Sequence, residues 1–186
     1  MTALLRQIPN ALTGLRLACA PLTALLLYTH AYPAALAVFV FAGLTDAADG
    51  FLAKRFGLDT KLGAWLDPAA DKLLMLASFL ALTYIAVAPV WLTVLVLARD
   101  AAIVAAVLLA KYMGWPLRVA PQFLGKLSTA IQVIYVGLML VLLAAGLDMP
   151  RLVYAAAAAT AVFTLASWLS YAQVFFRAAI RHSRPA

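Results

Sequence analysis

Six apolar runs of about twenty residues, separated by short polar or Gly/Pro-containing turns, constrain this chain more than any other feature. A run of that length at 1.5 Å per residue matches the ~30 Å hydrocarbon core of a bilayer. The 186 residues are 67% apolar and 11% charged, a balance that leaves too little polar surface to face water. The chain is therefore expected to be an all-α integral membrane protein of six transmembrane helices, forming one domain over residues 1–186. The spans read as Asn10–Thr29, Ala34–Arg55, Leu62–Val87, Pro89–Tyr112, Gln122–Ala145 and Arg151–Phe176. Pro9 and Asn10 serve as the start signal of the first. Ahead of it, Ala3 to Ile8 reads as a short interfacial helix, with no basic leader or cleavage site, so the N-terminus is expected to be retained.

Charge sets the orientation. Arg6, Lys54, Arg55, Lys61, Lys111, Arg118, Arg177, Arg181 and Arg184 fall on the side that holds both termini, whereas the opposite side has Arg151. The positive-inside rule makes the basic side, and both termini, cytoplasmic. The net charge of +7 then suits the anionic leaflet or an anionic lipid rather than nucleic acid. Cys19, alone in an apolar run, is a packing residue, and no intrachain disulfide is possible.

Against this background the acidic residues stand out. There is no glutamate, and five of the seven aspartates lie between Asp46 and Asp71. Asp46 and Asp49 are three apart, and Asp67 and Asp71 four apart, so each pair shares one helix face. Asp46 precedes the end of its span by about nine residues, which sinks the pair ~10 Å below the surface at helical rise. Carboxylates at membrane depth cost several kcal/mol each unless paired or bound to metal. Pairing with Lys54, Arg55, Lys61 and Lys72 is the bland explanation. The all-oxygen set of Asp46, Asp49, Asp67 and Asp71 is better suited to hard divalent cations. Gly50, Ala53, Gly57 and Gly63, with Lys54, Thr60 and Lys61, suit phosphate groups held close to the backbone. The residues point to a metal-dependent site for a phosphorylated substrate. A cation channel or transporter is the rival class, but it gives the glycines no task.

Asp46-x2-Asp49-Gly50-x2-Ala53-Lys54-x8-Gly63-x3-Asp67-x3-Asp71 resembles the signature of the CDP-alcohol phosphatidyltransferases. One departure is Lys54, where the family pattern usually has arginine; lysine keeps the charge but not the bidentate fork. Ile8-Pro9-Asn10-x-Leu12-Thr13-x2-Arg16, Leu66-Asp67-Pro68-x-Ala70-Asp71-Lys72, Arg99-Asp100 and Gly125-Lys126-x2-Thr129-x2-Gln132 are similar to the branch that makes phosphatidylglycerol phosphate and cardiolipin. Within it, Ala42-Gly43-Leu44-Thr45-Asp46, and Arg99-Asp100 followed by Lys111-Tyr112, lean toward the CMP-forming cardiolipin synthases. Enzymes of the branch that use glycerol 3-phosphate commonly have Arg-Glu at that pair and another arginine where this chain has Val107.

The resemblance implies transfer of a phosphatidyl group from CDP-diacylglycerol to a phosphate-bearing alcohol, phosphatidylglycerol or glycerol 3-phosphate, with release of CMP. Inositol phosphate or serine as acceptor fits the flanking motifs less well, and the intact aspartates argue against a non-catalytic relative. By the same resemblance two Mg²⁺ or Mn²⁺ ions sit among the aspartates. Asp46 and Asp67 bridge both, Asp49 holds one and Asp71 the other, and Asp71 also serves as the catalytic base. Asn10, Gly50, Ala53, Lys54, Thr60 and Gly63 match positions that meet CDP-diacylglycerol. Arg99, Arg118 and Lys126 are the candidates for the acceptor phosphate. For Arg99 the competing role is a salt bridge, with Asp100 a poor direct partner because successive helical residues point about 100° apart. The resemblance also implies a homodimer, in a bacterial cytoplasmic (inner) membrane with the site on the cytoplasmic side.

Overall fold

The computed structural model describes residues 7–56, 61–114 and 123–182, with side chains at 13–48, 67, 69–114 and 123–176. It is all-helical there: α1 (Gln7–Tyr28), α2 (Tyr32–Phe56), α3 (Lys61–Tyr84), α4 (Val90–Tyr112), α5 (Phe123–Ala144) and α6 (Pro150–His182). The helices match the apolar runs, with two instructive differences. α1 is already helical at Gln7, so Pro9 and Asn10 lie inside its first turn rather than before it. Proline is tolerated there because the first amides of a helix have no intrahelical partner. α6 continues to His182, so Arg177 and Arg181, past the end expected for the last span, are helical. Of the proposed interfacial lead, residues 3–6 lie outside the described residues.

The turns show why the helices stop where they do. His30, Ala86, Gly114 and Gly146 have φ of 59°, 59°, 67° and 65°. At three of these turns the chain closes with a bond to a carbonyl five residues back. Ala31 donates to Leu26 at 2.8 Å, Val87 to Leu82 at 2.9 Å, and Leu147 to Leu142 at 2.9 Å. These left-handed caps satisfy carbonyls that the last turn would otherwise leave bare. Glycine does this without strain at 114 and 146, while Ala86 does it at a steric cost. Pro89, with φ −68° and ψ 136°, sets the extended entry into α4.

α4, α5 and residues Pro150–Phe176 of α6 are long and apolar enough to cross a membrane, with mean hydropathy of 2.3, 2.2 and 1.7. Thr13–Tyr28 and Tyr32–Ala48 are shorter apolar stretches within α1 and α2. Large apolar side chains face outward as well as inward, and several polar ones are buried. Leu25, Leu44, Val94, Leu108, Phe123, Ile134, Val162 and Leu169 are exposed, whereas Thr13, Arg16, Thr23, Ser78, Arg99, Ser128, Gln132, Thr164 and Ser167 are buried. An apolar exterior around a polar-seamed interior is what lipid selects, since water would penalise so much exposed hydrocarbon.

The chain forms two compact units, residues 1–88 with 136–149, and 89–135 with 150–186. In the first, α1 packs against α2 and α3. Fully buried Ala20, Ala35, Ala42, Ala70 and Ala81 let backbones approach, with Leu27, Phe39, Phe79 and Leu82 filling the space between. In the second, α4 packs against α6.

Candidate active site

The acidic cluster lies in the first unit and is built by three helices. Asp46 comes from the fourth turn of α2, and Asp67 and Asp71 from successive turns of α3. Thr13 and Arg16, three apart and so on one face of α1, meet them from the side. One guanidinium nitrogen gathers all three acids. Arg16 Nη1 is 2.8 Å from Asp46 Oδ1, 3.3 Å from Asp71 Oδ1 and 3.9 Å from Asp67 Oδ1. Thr13 Oγ1 donates a 2.6 Å hydrogen bond to Asp67 Oδ1. The Arg16 side chain is fully buried, while the side chains of Asp46, Asp67 and Asp71 are 48%, 37% and 50% exposed. The cation thus lies on the protein side of the cluster and the carboxylates open outward.

Two of these residues were not assigned a role from the sequence. Thr13 and Arg16 enter the sequence reading only through the opening motif, and the sequence offers Lys54, Arg55, Lys61 and Lys72 as partners for the acids. Of these, the first three have side chains outside the described residues. The usable signal was a lone arginine within an apolar run, which needs a counter-charge, three residues from a threonine.

Among the described residues, no three acidic side chains stand at metal-ligand spacing as they are. The guanidinium is seated between them. The donor chemistry nevertheless fits a hard divalent cation: every donor is a carboxylate oxygen, each side chain is open on one side, and Thr13 holds one from behind. Asp49 lies on α2 three residues beyond Asp46. Its side chain, and those of Asn10, Lys54 and Ala53, are outside the described residues, as are Thr60 and Arg118 altogether. Gly50 and Gly63 are placed only as helical backbone, on α2 and α3.

The acceptor candidates Arg99 and Lys126 lie in the second unit. Arg99 is 4% exposed. Its Nη1 donates to Asp100 Oδ1 at 2.7 Å and its Nη2 to Ser167 Oγ at 2.6 Å. Asp100 is therefore a direct partner, contrary to the helical-wheel argument. Arginine's long stem bends back far enough for its head to meet the next residue. The guanidinium carbon also lies 5.6 Å from the centre of the Tyr171 ring, within cation–π range. Tyr171 in turn presses on Gly125 and, with Ile103, Val107, Trp168 and Phe175, lines an apolar cleft. Beside this group Gln132 Nε2 donates to Thr164 Oγ1 at 3.2 Å and to Ser128 Oγ at 3.3 Å. Lys126 is exposed next to Gly125.

Residues 6–178 match the family model described as CDP-alcohol phosphatidyltransferase. A Rattus norvegicus protein named cardiolipin synthase (CMP-forming) is 36% identical over 164 residues, which cover 80% of this chain and 52% of the relative. A probable phosphatidylglycerophosphate synthase of Mycobacterium tuberculosis is 33% identical over 162 residues, 84% of this chain and 76% of the relative. A CDP-diacylglycerol–glycerol-3-phosphate 3-phosphatidyltransferase of Bacillus subtilis is 30% identical over 149 residues, 72% and 76% of the two chains. The chain spans about half the length of the rat and human cardiolipin synthases it matches.

Proposed function

The chain belongs to the CDP-alcohol phosphatidyltransferase family, and on that premise we propose that it transfers a phosphatidyl group from CDP-diacylglycerol to an alcohol and releases CMP. The observation that carries this reading is the convergence of Asp46, Asp67 and Asp71, from two helices, on one nitrogen of Arg16 while each stays open outward. Asp49 completes the set as the second acid of its helix-face pair. Two Mg²⁺ or Mn²⁺ ions held by these four aspartates would polarise the diphosphate and stabilise the departing CMP. Asp71, half-exposed, takes the proton from the acceptor hydroxyl as that oxygen attacks the β-phosphorus. The new P–O bond forms as the bond to the CMP oxygen breaks. Gly50 and Gly63 allow the nucleotide near the backbone, and Asn10, Ala53, Lys54 and Thr60 complete its pocket, by likeness to the family pattern.

The acceptor we favour is phosphatidylglycerol, which would make the product cardiolipin. The motif around Asp46 and the Arg99-Asp100 pair support this choice, as does the likeness to proteins named as cardiolipin synthases. Glycerol 3-phosphate is the alternative, supported by the likeness to the M. tuberculosis and B. subtilis proteins. Arg99, Arg118 and Lys126 are proposed to meet the acceptor phosphate. The whole is read as a single domain of six spans, with both termini and the site on the cytoplasmic side of a bacterial inner membrane, working as a homodimer. The asymmetry of basic residues supports the orientation. The test is to incubate purified protein with CDP-diacylglycerol and either acceptor, then identify the lipid product by mass spectrometry. Cardiolipin formed from phosphatidylglycerol is expected; phosphatidylglycerol phosphate formed only with glycerol 3-phosphate would overturn the choice of acceptor.

A further inference from the structure

Arg16 is sealed inside α1's packing face, with 1% of the residue exposed. Its Nε and Nη2 are buried and have no hydrogen-bond partner among the described residues. An arginine offers five N–H donors, and one so incompletely satisfied is held mainly by charge. That charge comes from Asp46, Asp67 and Asp71, whose Oδ1 atoms all lie within 3.9 Å of Nη1. Without the guanidinium, three carboxylates in that space would repel one another and spread. With it, the described cluster carries a net charge equal and opposite to that of a single divalent cation. Positive charge on Nη1 and on an ion would meet across the same carboxylates, so the guanidinium opposes the metal's binding by charge.

We propose that Arg16 is a built-in counter-cation of the carboxylate cluster, gathering Asp46, Asp67 and Asp71 when no metal is bound and thereby weakening their hold on a divalent cation. This rests on the reading of these aspartates as metal ligands. Arg16 is a positioning residue: it acts on the acids, while the acids act on the substrate. Its consequence is a site that stays assembled when empty and exchanges its metal readily.

The experiment measures Mn²⁺ affinity and metal-free stability in detergent micelles, by electron paramagnetic resonance of free Mn²⁺ and by thermal unfolding in chelator. Arg16→Gln removes the charge, and Arg16→Lys keeps it. The glutamine variant is expected to bind Mn²⁺ about tenfold more tightly than wild type and to unfold at a lower temperature in chelator. The lysine variant should stay close to wild type in affinity. Adding Asp46→Asn to Arg16→Gln restores the original net charge, and should recover most of the lost metal-free stability even if Arg16→Gln alone folds poorly. An unchanged or weaker affinity in Arg16→Gln, or no recovery in the double variant, would overturn the proposal. Wild-type protein that binds no Mn²⁺ would instead sink the metal reading, while the stability comparison would still show whether Arg16 gathers the acids by charge.

Discussion

Gly125, in the first turn of α5, allows Tyr171 of α6 to come unusually close. A Cβ at this position would lie 2.6 Å from the Tyr171 hydroxyl oxygen, 3.0 Å from Cε2 and 3.2 Å from Cζ. Gly125→Ala therefore sets two effects against each other. Alanine gains up to about 1 kcal/mol over glycine in a helix, through the smaller backbone entropy it loses. Against this, overpacking costs about 1–3 kcal/mol. If the ring swings aside to make room, it disturbs its 5.6 Å contact with Arg99, worth about another 0.5–1 kcal/mol. The steric side wins, and a net loss of about 1–2 kcal/mol is expected. Removing the tyrosine should reverse the sign. In a Tyr171→Ala background, Gly125→Ala keeps only its helical gain and should stabilise by about 0.5 kcal/mol. The four proteins form a double-mutant cycle, read by reversible unfolding in mixed micelles with far-UV circular dichroism. An equal effect of Gly125→Ala in both backgrounds would show that Tyr171 does not crowd this position.

Three further outcomes follow from the contacts above. Thr13→Val removes the 2.6 Å bond to Asp67 at constant shape, and should slow phosphatidyl transfer about tenfold in a CMP-release assay. Its unfolding free energy should stay within about 1 kcal/mol of wild type. Arg99→Ala should destabilise the protein by about 3 kcal/mol or more, because it breaks a buried ion pair with Asp100. Arg99→Ala/Asp100→Ala should cost less than the sum of the two single changes in the same unfolding assay. Ala86→Gly should raise the unfolding free energy by about 1 kcal/mol, since φ of 59° strains alanine and not glycine.

The helices were legible because each apolar run is long and each is closed by a turn residue such as His30-Ala31-Tyr32-Pro33 or Gly146. Asp67 and Asp71 were legible together for the same local reason, as a spacing of four puts side chains on one helical face. Long-range partners were not. Arg16 lies 30 to 55 positions from the acids it holds, and no local period links them. Its neighbour Thr13 carries no charge to mark it. The Arg99–Asp100 contact escaped for a different reason, since a wheel projects Cβ directions and ignores the reach of a long side chain. The buried Ser128, Gln132 and Thr164 seam is readable only in hindsight, from polar residues within strongly apolar helices.

The proposed activity is metal-dependent phosphatidyl transfer at the aspartate cluster. The most direct measurement is CMP release from CDP-diacylglycerol in the presence of phosphatidylglycerol, first in chelator and then with Mg²⁺ or Mn²⁺ restored, for wild type and Asp71→Asn. CMP should appear in step with a lipid product, only with metal, and only in the wild type. CMP release that persists in chelator or in Asp71→Asn would contradict the account. So would divalent-ion flux through reconstituted vesicles with no CMP formed, the result expected of a transporter.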